Sequence, residues 1–306
     1  AEAGAQTVVV DPAPAERLAR PDDDWRTTAL AQGAMRLLER IGAWDPAWTG
    51  GAIRDIRIVD GDSPLFLHYD GGALGEGDLG CIVPNAQLKR RLYERAAAHG
   101  RIRLCLGQAI RSFTARPDAI VATLSGDEDI RARLLVGADG RNSPTRKAAG
   151  IPERTVDYHQ TAIIATAAHA KPHGGVAHER FLPGGPFAIL PLPDADDGAA
   201  PWPHRSSIVW SEATKLAADM LKLDRPAFDR ELAQRFGDHF GAVVSVDGIG
   251  GFPLKLVLSD RMTARRVALV GDAARAIHPI AGQGYNLGIR DSAELAARVG
   301  ERLTLG

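Results

Sequence analysis

The chain has 306 residues, of which 45% are hydrophobic and 25% are charged, and its formal net charge is -1. That length suits two domains with a substantial core, and the near-neutral charge excludes long-range attraction to nucleic acid. The sequence has no apolar run of about 18 residues, no secretory signal pattern and no CxxC pair for its two cysteines, Cys81 and Cys105, so we expect a cytoplasmic protein.

The first half of the chain contains three segments with clear periodicity. Residues 7–10 are β-branched and end at Asp11, which predicts a buried parallel strand. Apolar residues recur at helical spacing from 26 to 41, and Gly42 follows as a stop signal. A second amphipathic helix is predicted at residues 87–98.

The second half is richer in strand patterns. Residues 107–136 alternate between apolar and polar side chains, which predicts a small antiparallel meander. Residues 159–252 contain further strands, interrupted by one predicted helix at 225–236. A strand then ends at 272, and a last helix is predicted at 283–303. Helix and strand thus alternate at both ends of an antiparallel block, which predicts a three-layer α/β, Rossmann-like nucleotide-binding domain with an inserted antiparallel sheet domain.

The most informative pattern lies near the end of the chain. A hydrophobic strand ends in Gly271-Asp272, which places a carboxylate at the carboxyl edge of a sheet, where α/β folds bind ligands. Such a carboxylate is suited to accept hydrogen bonds from sugar-alcohol hydroxyls. A glycine-rich turn then leads into a helix whose first N–H groups lack backbone partners and favour electron-rich oxygen.

This pattern carries a family resemblance. The run His-Pro-Ile-Ala-Gly-Gln-Gly-x-Asn-Leu-Gly-x-x-Asp resembles the signature of the ubiquinone-biosynthesis aromatic hydroxylases, within the para-hydroxybenzoate-hydroxylase-like flavoproteins. The resemblance implies that Asp272 holds the ribityl chain of FAD. It also implies that a turn faces the isoalloxazine ring, formed by Pro279, Gly282, Gln283, Gly284 and Asn286. One position departs from the pattern, because Arg275 stands where many members have histidine, and a role there is in doubt.

A second motif, Gly-Ala-Asp139-Gly-x-x-Ser143-x-x-Arg146, resembles another motif of the same flavoproteins. The resemblance implies that Asp139 lies near the FAD pyrophosphate, with a second role in the approach of the pyridine nucleotide. Ser143 and Arg146 have an equally simple interpretation as a helix cap and a surface charge.

Three residues in the first part of the chain complete the candidate cofactor site. Asp11 ends a strand, as does the acidic residue that binds the adenosine ribose in dinucleotide folds. Arg26 lies in a run that resembles the Arg-x-x-Ala-Leu segment of the family, which implies a guanidinium over the FAD phosphates. Asn85 falls on another flavin contact of the family, although a helix N-cap is an alternative role.

The histidines are weaker candidates. His278 adjoins the flavin turn, and between a general base and a structural hydrogen bond we favour the second. The other histidines, such as His159, His169 and His173, are too irregularly spaced for a metal site. No side chain can be named as a catalytic acid or base, and no metal is expected.

The resemblance implies a reaction and its partners. In the family, NAD(P)H reduces FAD, and reduced flavin traps O2 as a C4a-hydroperoxide that hydroxylates a prenylated phenolic ring in ubiquinone biosynthesis. It also implies peripheral contact with the inner membrane and association with other quinone-biosynthesis proteins. Two alternatives stay open. One is a hydroxylase of another aromatic or polyketide substrate, and the other is a non-catalytic flavin-fold subunit of a quinone-biosynthesis assembly.

The resemblance also gives a domain division and an expectation about the chain ends. The FAD-binding domain is expected to be discontinuous, at residues 1–51, 81–155 and 259–306, with a substrate domain at 52–80 and 156–258. If Asp11 is the ribose acid, the glycine turn that cradles the pyrophosphate belongs about 20 residues earlier, before residue 1. We therefore expect a chain truncated at its N-terminus, and also at its C-terminus, that cannot hold FAD fully.

Overall fold

A computed structural model describes residues 1–21, 24–44, 50–73, 75, 77–195, 197–246 and 248–305. The strands are β1 (Thr7–Asp11), β2 (Thr27–Ala31), β3 (Gly51–Ile53), β4 (Asp55–Asp60), β5 (Phe66–Asp70), β6 (Gly80–Pro84), β7 (Ile102–Leu106), β8 (Ile110–Ala115), β9 (Ile120–Leu124), β10 (Asp129–Ala132), β11 (Leu135–Gly137), β12 (Glu153–His169), β13 (Val176–Leu182), β14 (Gly185–Leu192), β15 (His204–Ala213), β16 (Val243–Ser245), β17 (Gly250–Ser259), β18 (Thr263–Ala264), β19 (Val267–Leu269) and β20 (Arg275–Ala276). The helices are α1 (Ala15–Ala19), α2 (Gln32–Arg40), α3 (Asn85–Ala97), α4 (Pro144–Ala148), α5 (Thr214–Met220), α6 (Arg225–Phe236) and α7 (Gln283–Thr304), and short 3-10 turns lie at Gly271–Ala273 and Ile280–Gly282.

The largest sheet has nine strands in the order β20-β17-β12-β15-β14-β13-β4-β5, with β16 also paired to β12. All its pairs are antiparallel except β13 with β4. Side chains alternate between the two faces of each strand. One face carries Ile163, Phe187 and Trp210, which are buried against α5 and α6 in the largest core cluster. The opposite face is turned toward the candidate site.

Smaller sheets surround this one and match the predicted nucleotide-binding architecture. Strand β1 pairs in parallel with β7, and β11 pairs in parallel with β19. Strands β2, β6 and β3 form an antiparallel sheet that packs over part of the large sheet through Ile53, Ile82, Ala177 and Leu192. The predicted meander is confirmed as β8, β9 and β10.

Two local predictions need correction. The helix predicted from residue 26 begins only at Gln32, because Thr27–Ala31 forms strand β2 in an antiparallel pair with β6. The β-branched Thr27 and Thr28 suit a strand, and the alanines and leucine that follow fit both periodicities. Strand β1 is parallel as predicted but not buried, since Val8 and Val9 are 39% and 37% exposed.

The remaining helix predictions are confirmed in place and type: α3, α6 and α7 begin and end within two residues of the predicted bounds. Among the helices of the described residues, none is long and apolar enough to cross a membrane.

Candidate active site

A cavity of about 240 Å³ lies between the large sheet and the turn that follows β19. It gathers four of the residues singled out from the sequence: Arg26, Asn85, Asp272 and Pro279. The rest of its wall comes from the sheet and nearby loops, namely Thr27, Arg141, Ala162, Ile164, Val209, Phe252, Leu254, Lys255, Ala276 and Ile277. One side of the cavity is therefore charged and polar, and the other is the apolar face of β12, β15 and β17.

Asp272 lies three residues beyond the end of β19, in a turn where Gly271 has a φ of +59°. Its carboxylate is accessible to solvent, but the surrounding walls limit its hydration and raise its pKa, while the positive charge of Arg141 acts in the opposite direction. No side chain or backbone group of the described residues donates a hydrogen bond to this carboxylate in the structure. It is a charged acceptor left available for a ligand.

Arg26 precedes β2 and is held by Asp24, to which its Nε and Nη2 donate at 2.8 and 2.9 Å. Lys89 also donates to Asp24. Burial alone would raise the pKa of Asp24, but these two cations hold that pKa well below its usual range. The Arg26 guanidinium lies 5.3 Å from the centre of the Phe252 ring. Arg26 thus keeps a fixed position on the cavity wall, with part of its side chain exposed.

Asn85 is the first residue of α3, and its side chain does not cap that helix. Instead, its Oδ1 accepts a hydrogen bond from Thr28 Oγ1 at 2.6 Å. The N-cap alternative is therefore wrong, because Pro84 occupies that position. The contact between Asn85 and Thr28 joins the start of α3 to β2 at the edge of the cavity.

The glycine turn precedes α7, a helix of 22 residues whose N-cap, Gly282, makes no side-chain capping bond. Gly282 has a φ of +61°, and a Cβ there would lie 2.7 Å from the Ala29 Cβ. At Gly284 a Cβ would meet nothing within 4 Å. The helix N-terminus at Gln283 is therefore packed against β2 on one side and open at Gly284 on the other.

Asn286 has a role that the motif did not predict. Its side chain is 3% exposed, and all its hydrogen bonds go to backbone groups. Oδ1 accepts from Ala31 N at 2.9 Å, while Nδ2 donates to Ala29 O at 2.9 Å and Gly282 O at 3.0 Å. The amide ties α7 and its turn to β2, so this side chain positions the turn.

Arg275, the departure from the family pattern, forms an ion pair with Asp291 at 2.5 Å. Asp291 also accepts from Gly271 N at 3.0 Å. A Cβ on Gly288 would lie 3.2 Å from the Gly271 Cα, so α7 passes very close to the turn that carries Asp272. Arg275 and Asp291 therefore fix the turn from one side, and Gly288 permits the close approach.

The second motif is built around α4. Asp139 accepts from Ser143 Oγ and from Thr145 N, and Ser143 caps the helix by accepting from Arg146 N at 2.9 Å. The cap interpretation of Ser143 is confirmed. The surface-charge interpretation of Arg146 is wrong, because that side chain is 0% exposed.

Arg146 connects the two motifs. It donates to Ala273 O and Arg141 O, both at 2.7 Å, and pairs with Glu153. Ala273 belongs to the turn that carries Asp272. Asp139 itself does not line the cavity, and its carboxylate accepts a hydrogen bond from Thr145 N at the start of α4.

Asp11 ends β1 and lies apart from the cavity lining. Its Oδ1 accepts from Ala13 N at 2.8 Å, which closes a local turn. Its other carboxylate oxygen accepts no hydrogen bond from the residues that the structure describes. That oxygen could therefore accept one from a ribose hydroxyl.

Two cations at the cavity were missed from the sequence. Arg141 Nη1 donates to Pro253 O at 3.0 Å across the site. Lys255 Nζ, on β17, lies 3.3 Å from Asp157 Oδ2. Arg141 occupies a variable position of the second motif, and Lys255 alternates with apolar residues along β17 in the ordinary way. No sequence signal marked either one, since only the packing of distant segments brings them together.

His278 makes the structural contacts that we favoured for it. Its Nε2 lies 3.3 Å from Gln160 Oε1, and its ring packs edge-on against Tyr158 with 5.1 Å between ring centres. Burial lowers its pKa. It is not among the residues that line the cavity. Within the described part of the chain, no group of His, Cys, Asp or Glu side chains could hold a metal ion.

The acceptor and donor groups at this cavity fit FAD. A free, charged acceptor at Asp272 suits the hydroxyls of a ribityl chain, and Arg26 and Arg141 suit anionic oxygen. The uncapped start of α7, with open space at Gly284, suits the electron-rich edge of a flat ring.

Similarity to known proteins extends along nearly the whole chain. Residues 1–304 match the family model described as an FAD binding domain. Ubiquinone hydroxylase UbiL of Rhodospirillum rubrum is 43% identical over 309 residues, covering 100% of this chain and 69% of UbiL. The 3-demethoxyubiquinol 3-hydroxylase of Escherichia coli is 31% identical over 289 residues, covering 94% of this chain and 71% of that enzyme.

Two solved structures show the same fold. A variant of PqsL from P. aeruginosa has a TM-score of 0.80 at 24% identity, covering 99% of this chain and 82% of PqsL. The p-nitrophenol 4-monooxygenase PnpA from Pseudomonas putida has a TM-score of 0.70 at 16% identity, covering 96% of this chain and 78% of PnpA. At these identities the likeness supports the fold alone.

Proposed function

This chain belongs to the FAD-binding-domain family, and we propose that it hydroxylates a prenylated phenol of ubiquinone biosynthesis, with NAD(P)H as reductant and O2 as oxidant. The main support for this proposal is the cavity, which has a charged side and an apolar side. Its charged side holds the residues suited to FAD, and its other side is an apolar sheet face suited to an aromatic ring. Its relatives supply the substrate class, since two of them are named for ubiquinone or demethoxyubiquinol hydroxylation.

We assign the cofactor to residues on both sides of the turn after β19. Asp272 would accept hydrogen bonds from the ribityl chain, and Arg26 would face the phosphates. Pro279, Gly282, Gln283 and Gly284 would lie against the flavin ring. Asn85 completes the cavity edge, Asn286 positions the turn, and Asp11 and Asp139 are assigned to the adenosine and pyrophosphate end. When bound, FAD supplies the redox and oxygen-transfer chemistry.

The side chains of the chain itself bind, orient and exclude water. Ala162, Ile164 and Val209 offer an apolar surface on which the substrate ring can lie flat against the sheet. That surface excludes water from the ring, which protects a reactive oxygen-transfer site from side reactions. Phe252 both supports Arg26 and closes the apolar side, so substrate and cofactor positions are coupled through one residue.

Substrate-stimulated oxidation of NAD(P)H tests this proposal. Titration with FAD first measures how much cofactor this chain holds, since the sequence leads us to expect incomplete binding. Protein loaded with stoichiometric FAD should then oxidise NAD(P)H much faster when a prenylated phenol is added, with formation of a hydroxylated product. Small soluble phenolic acids should stimulate far less. Turnover of soluble phenolic acids with none of the prenylated ones would assign the site to another aromatic substrate. FAD binding with no stimulated oxidation by any phenol would assign the chain to a non-catalytic role.

Cells lacking the protein give an independent readout. The proposal predicts that they accumulate a prenylated intermediate that lacks one ring hydroxyl. The mass of that intermediate together with its NMR spectrum identifies the ring position, and an unchanged quinone profile would contradict the pathway assignment.

A further inference from the structure

The edge strand of the large sheet exposes an unusual row of apolar side chains. Leu65 is 79% exposed, Leu67 on β5 is 53% exposed and Tyr69 is 45% exposed. A second hollow, with a volume of about 560 Å³, lies beside this strand. Exposed apolar residues that cluster around a hollow are typical of a binding surface.

The strand register places this row on the same face of the sheet as the active-site cavity. Residues that pair directly across neighbouring strands point to the same face. The row of paired residues that crosses the sheet from the cavity to its edge consists of Ile164, Val209, Ala188, Glu179, Ile58 and Leu67. Ile164 and Val209 line the cavity, and Ile58 and Leu67 line the second hollow.

Burial supports the same assignment of faces. Ile163, Ile208 and Ile189 point to the opposite face and are buried against the helices. Their neighbours Ile164 and Val209 are only partly buried. On β13 this face is buried at Ala177 and Glu179, where β2, β6 and β3 pack over the adjacent end. Ala188, Phe181 and Ile58 are only partly buried, so the accessible path from the cavity to β5 passes Phe181.

The hollow is apolar at its base. Phe181 on β13 pairs with Asp60, so it points to the active-site face, and it lines the hollow with Ile58, Leu65 and Leu67. Phe66 also lines the hollow, from the edge of the opposite face, because it pairs with Val59. Asp60 is the one charged residue in the described lining. Glu179, the charged member of the row, is 9% exposed and does not line the hollow. A ligand that crosses here meets mainly hydrocarbon.

The cavity is too small for a ring with a long tail. Pockets for drug-sized ligands usually have volumes of about 300–1,000 Å³, whereas this cavity has about 240 Å³, part of which adjoins the cofactor residues. A prenyl chain on a ring bound there must leave the cavity. From β15 to β5 the sheet is four strand spacings wide, or about 19 Å, which matches an extended chain of several isoprene units.

We infer that the prenyl chain of the substrate follows the tail strip, which we define as Ala188, Phe181, Ile58, Leu67 and Leu65, from the cavity to the sheet edge. The inference rests on the proposed function. Continuity with the ring site on one sheet face favours a substrate tail over a separate partner, since an added protein strand would pair with the β5 backbone and would not require apolar side chains to continue toward the cavity. The strip makes tail length a determinant of substrate binding.

Kinetics with two substrates of different tail length test this inference. The two phenols have the same ring, one with a single isoprene unit and one with a long polyprenyl chain, both in detergent micelles. In flavin-loaded Leu67→Ser, we expect the KM of the long-tailed phenol to rise roughly tenfold, because an apolar contact with the tail is lost. The KM of the short-tailed phenol and both kcat values should not change. The matched control is Leu216→Ser on α5, because Leu216 is 42% exposed on the opposite side of the sheet.

The outcomes separate this inference from the function on which it rests. If wild-type protein turns over neither phenol, the proposed function itself fails. If wild-type protein turns over both and Leu67→Ser changes neither KM, or changes both equally, the tail strip is wrong while the function stands. Loss of vesicle binding with unchanged KM values would assign the strip to a lipid surface instead and would overturn the inference.

Photolabelling supplies a readout that does not depend on turnover. A long-tailed phenol with a diazirine at the tail end should label peptides that contain residues 58–69. The same phenol with the diazirine next to the ring should label the cavity segments. Tail-end labelling that falls only outside the strip would overturn the inference.

Discussion

Removal of the Asp272 carboxylate should separate cofactor binding from folding. The carboxylate accepts no hydrogen bond from the described residues, and its surroundings raise its pKa, so the fold disfavours its charge. Asp272→Asn and Asp272→Ala should therefore leave the free energy of unfolding of the FAD-free protein unchanged or slightly higher.

The cost should appear in FAD affinity. A hydrogen bond to a charged group contributes about 1.5–3 kcal/mol, so the Kd for FAD should rise roughly ten- to a hundredfold in Asp272→Ala. Asp272→Asn keeps the shape and one acceptor oxygen, so its Kd should rise less. Calorimetric titration with FAD measures the affinity, and urea unfolding measures the stability.

Asp260→Asn is the matched control, because that carboxylate follows β17 and does not line the cavity. It should change neither quantity. An unchanged Kd in Asp272→Ala would refute the assignment of this residue to the cofactor. A Kd that rises only in proportion to a loss of folding stability would show that Asp272 is structural.

Three further predictions concern the stability of the protein. Arg146→Met should lower the free energy of unfolding by about 3–5 kcal/mol, because it leaves two carbonyls and Glu153 without their buried partner. A loss below 1 kcal/mol, measured by urea unfolding, would contradict a structural role for Arg146. Gly282→Ala should lower the free energy of unfolding by about 1–2 kcal/mol and weaken FAD binding, since the φ of Gly282 is +61° and the new Cβ meets Ala29. Gly284→Ala should not destabilise the FAD-free protein, because its Cβ meets nothing within 4 Å. Equal effects of the two substitutions would argue against strain at Gly282. Burial beside His239 and Arg57 lowers the pKa of His178 from its ordinary value of 6.5 to about 4, so unfolded His178 binds its proton more tightly than folded His178. Its contribution to stability is therefore full above about pH 6.5 and is lost as the pH falls toward about 4, by about 2 kcal/mol after allowance for its partial exposure; urea unfolding across this range should show a flatter profile for His178→Gln, and identical profiles would contradict it.

The sequence motif near the end of the chain predicted where the site lies but not what each residue does there. Asp272 and Pro279 line the cavity as expected. The motif predicted that Asn286 contacts the flavin, yet its side-chain amide makes three hydrogen bonds to backbone groups. A motif records that a residue type is required at a position, and both a ligand contact and a tight helix–strand junction impose that requirement.

Other features could not be predicted because they depend on long-range packing. Thr27–Ala31 fits a helical stripe and a strand equally well, and its pairing with β6 decides between them. Arg141 and Lys255 approach one cavity from segments more than a hundred residues apart. The tail strip crosses four strands, β14, β13, β4 and β5, whose order follows only from the sheet topology.

We propose that this chain inserts one oxygen atom of O2 into the ring of a prenylated phenol. The most direct measurement is turnover of the flavin-loaded protein with NAD(P)H and a prenylated phenol under 18O2, followed by mass spectrometry of the product. We predict one 18O atom in the product for each NAD(P)H oxidised, with the second oxygen atom released as water. Oxidation of NAD(P)H with hydrogen peroxide as the only oxygen product and the phenol unchanged, or a hydroxylated product without 18O, would contradict the claim.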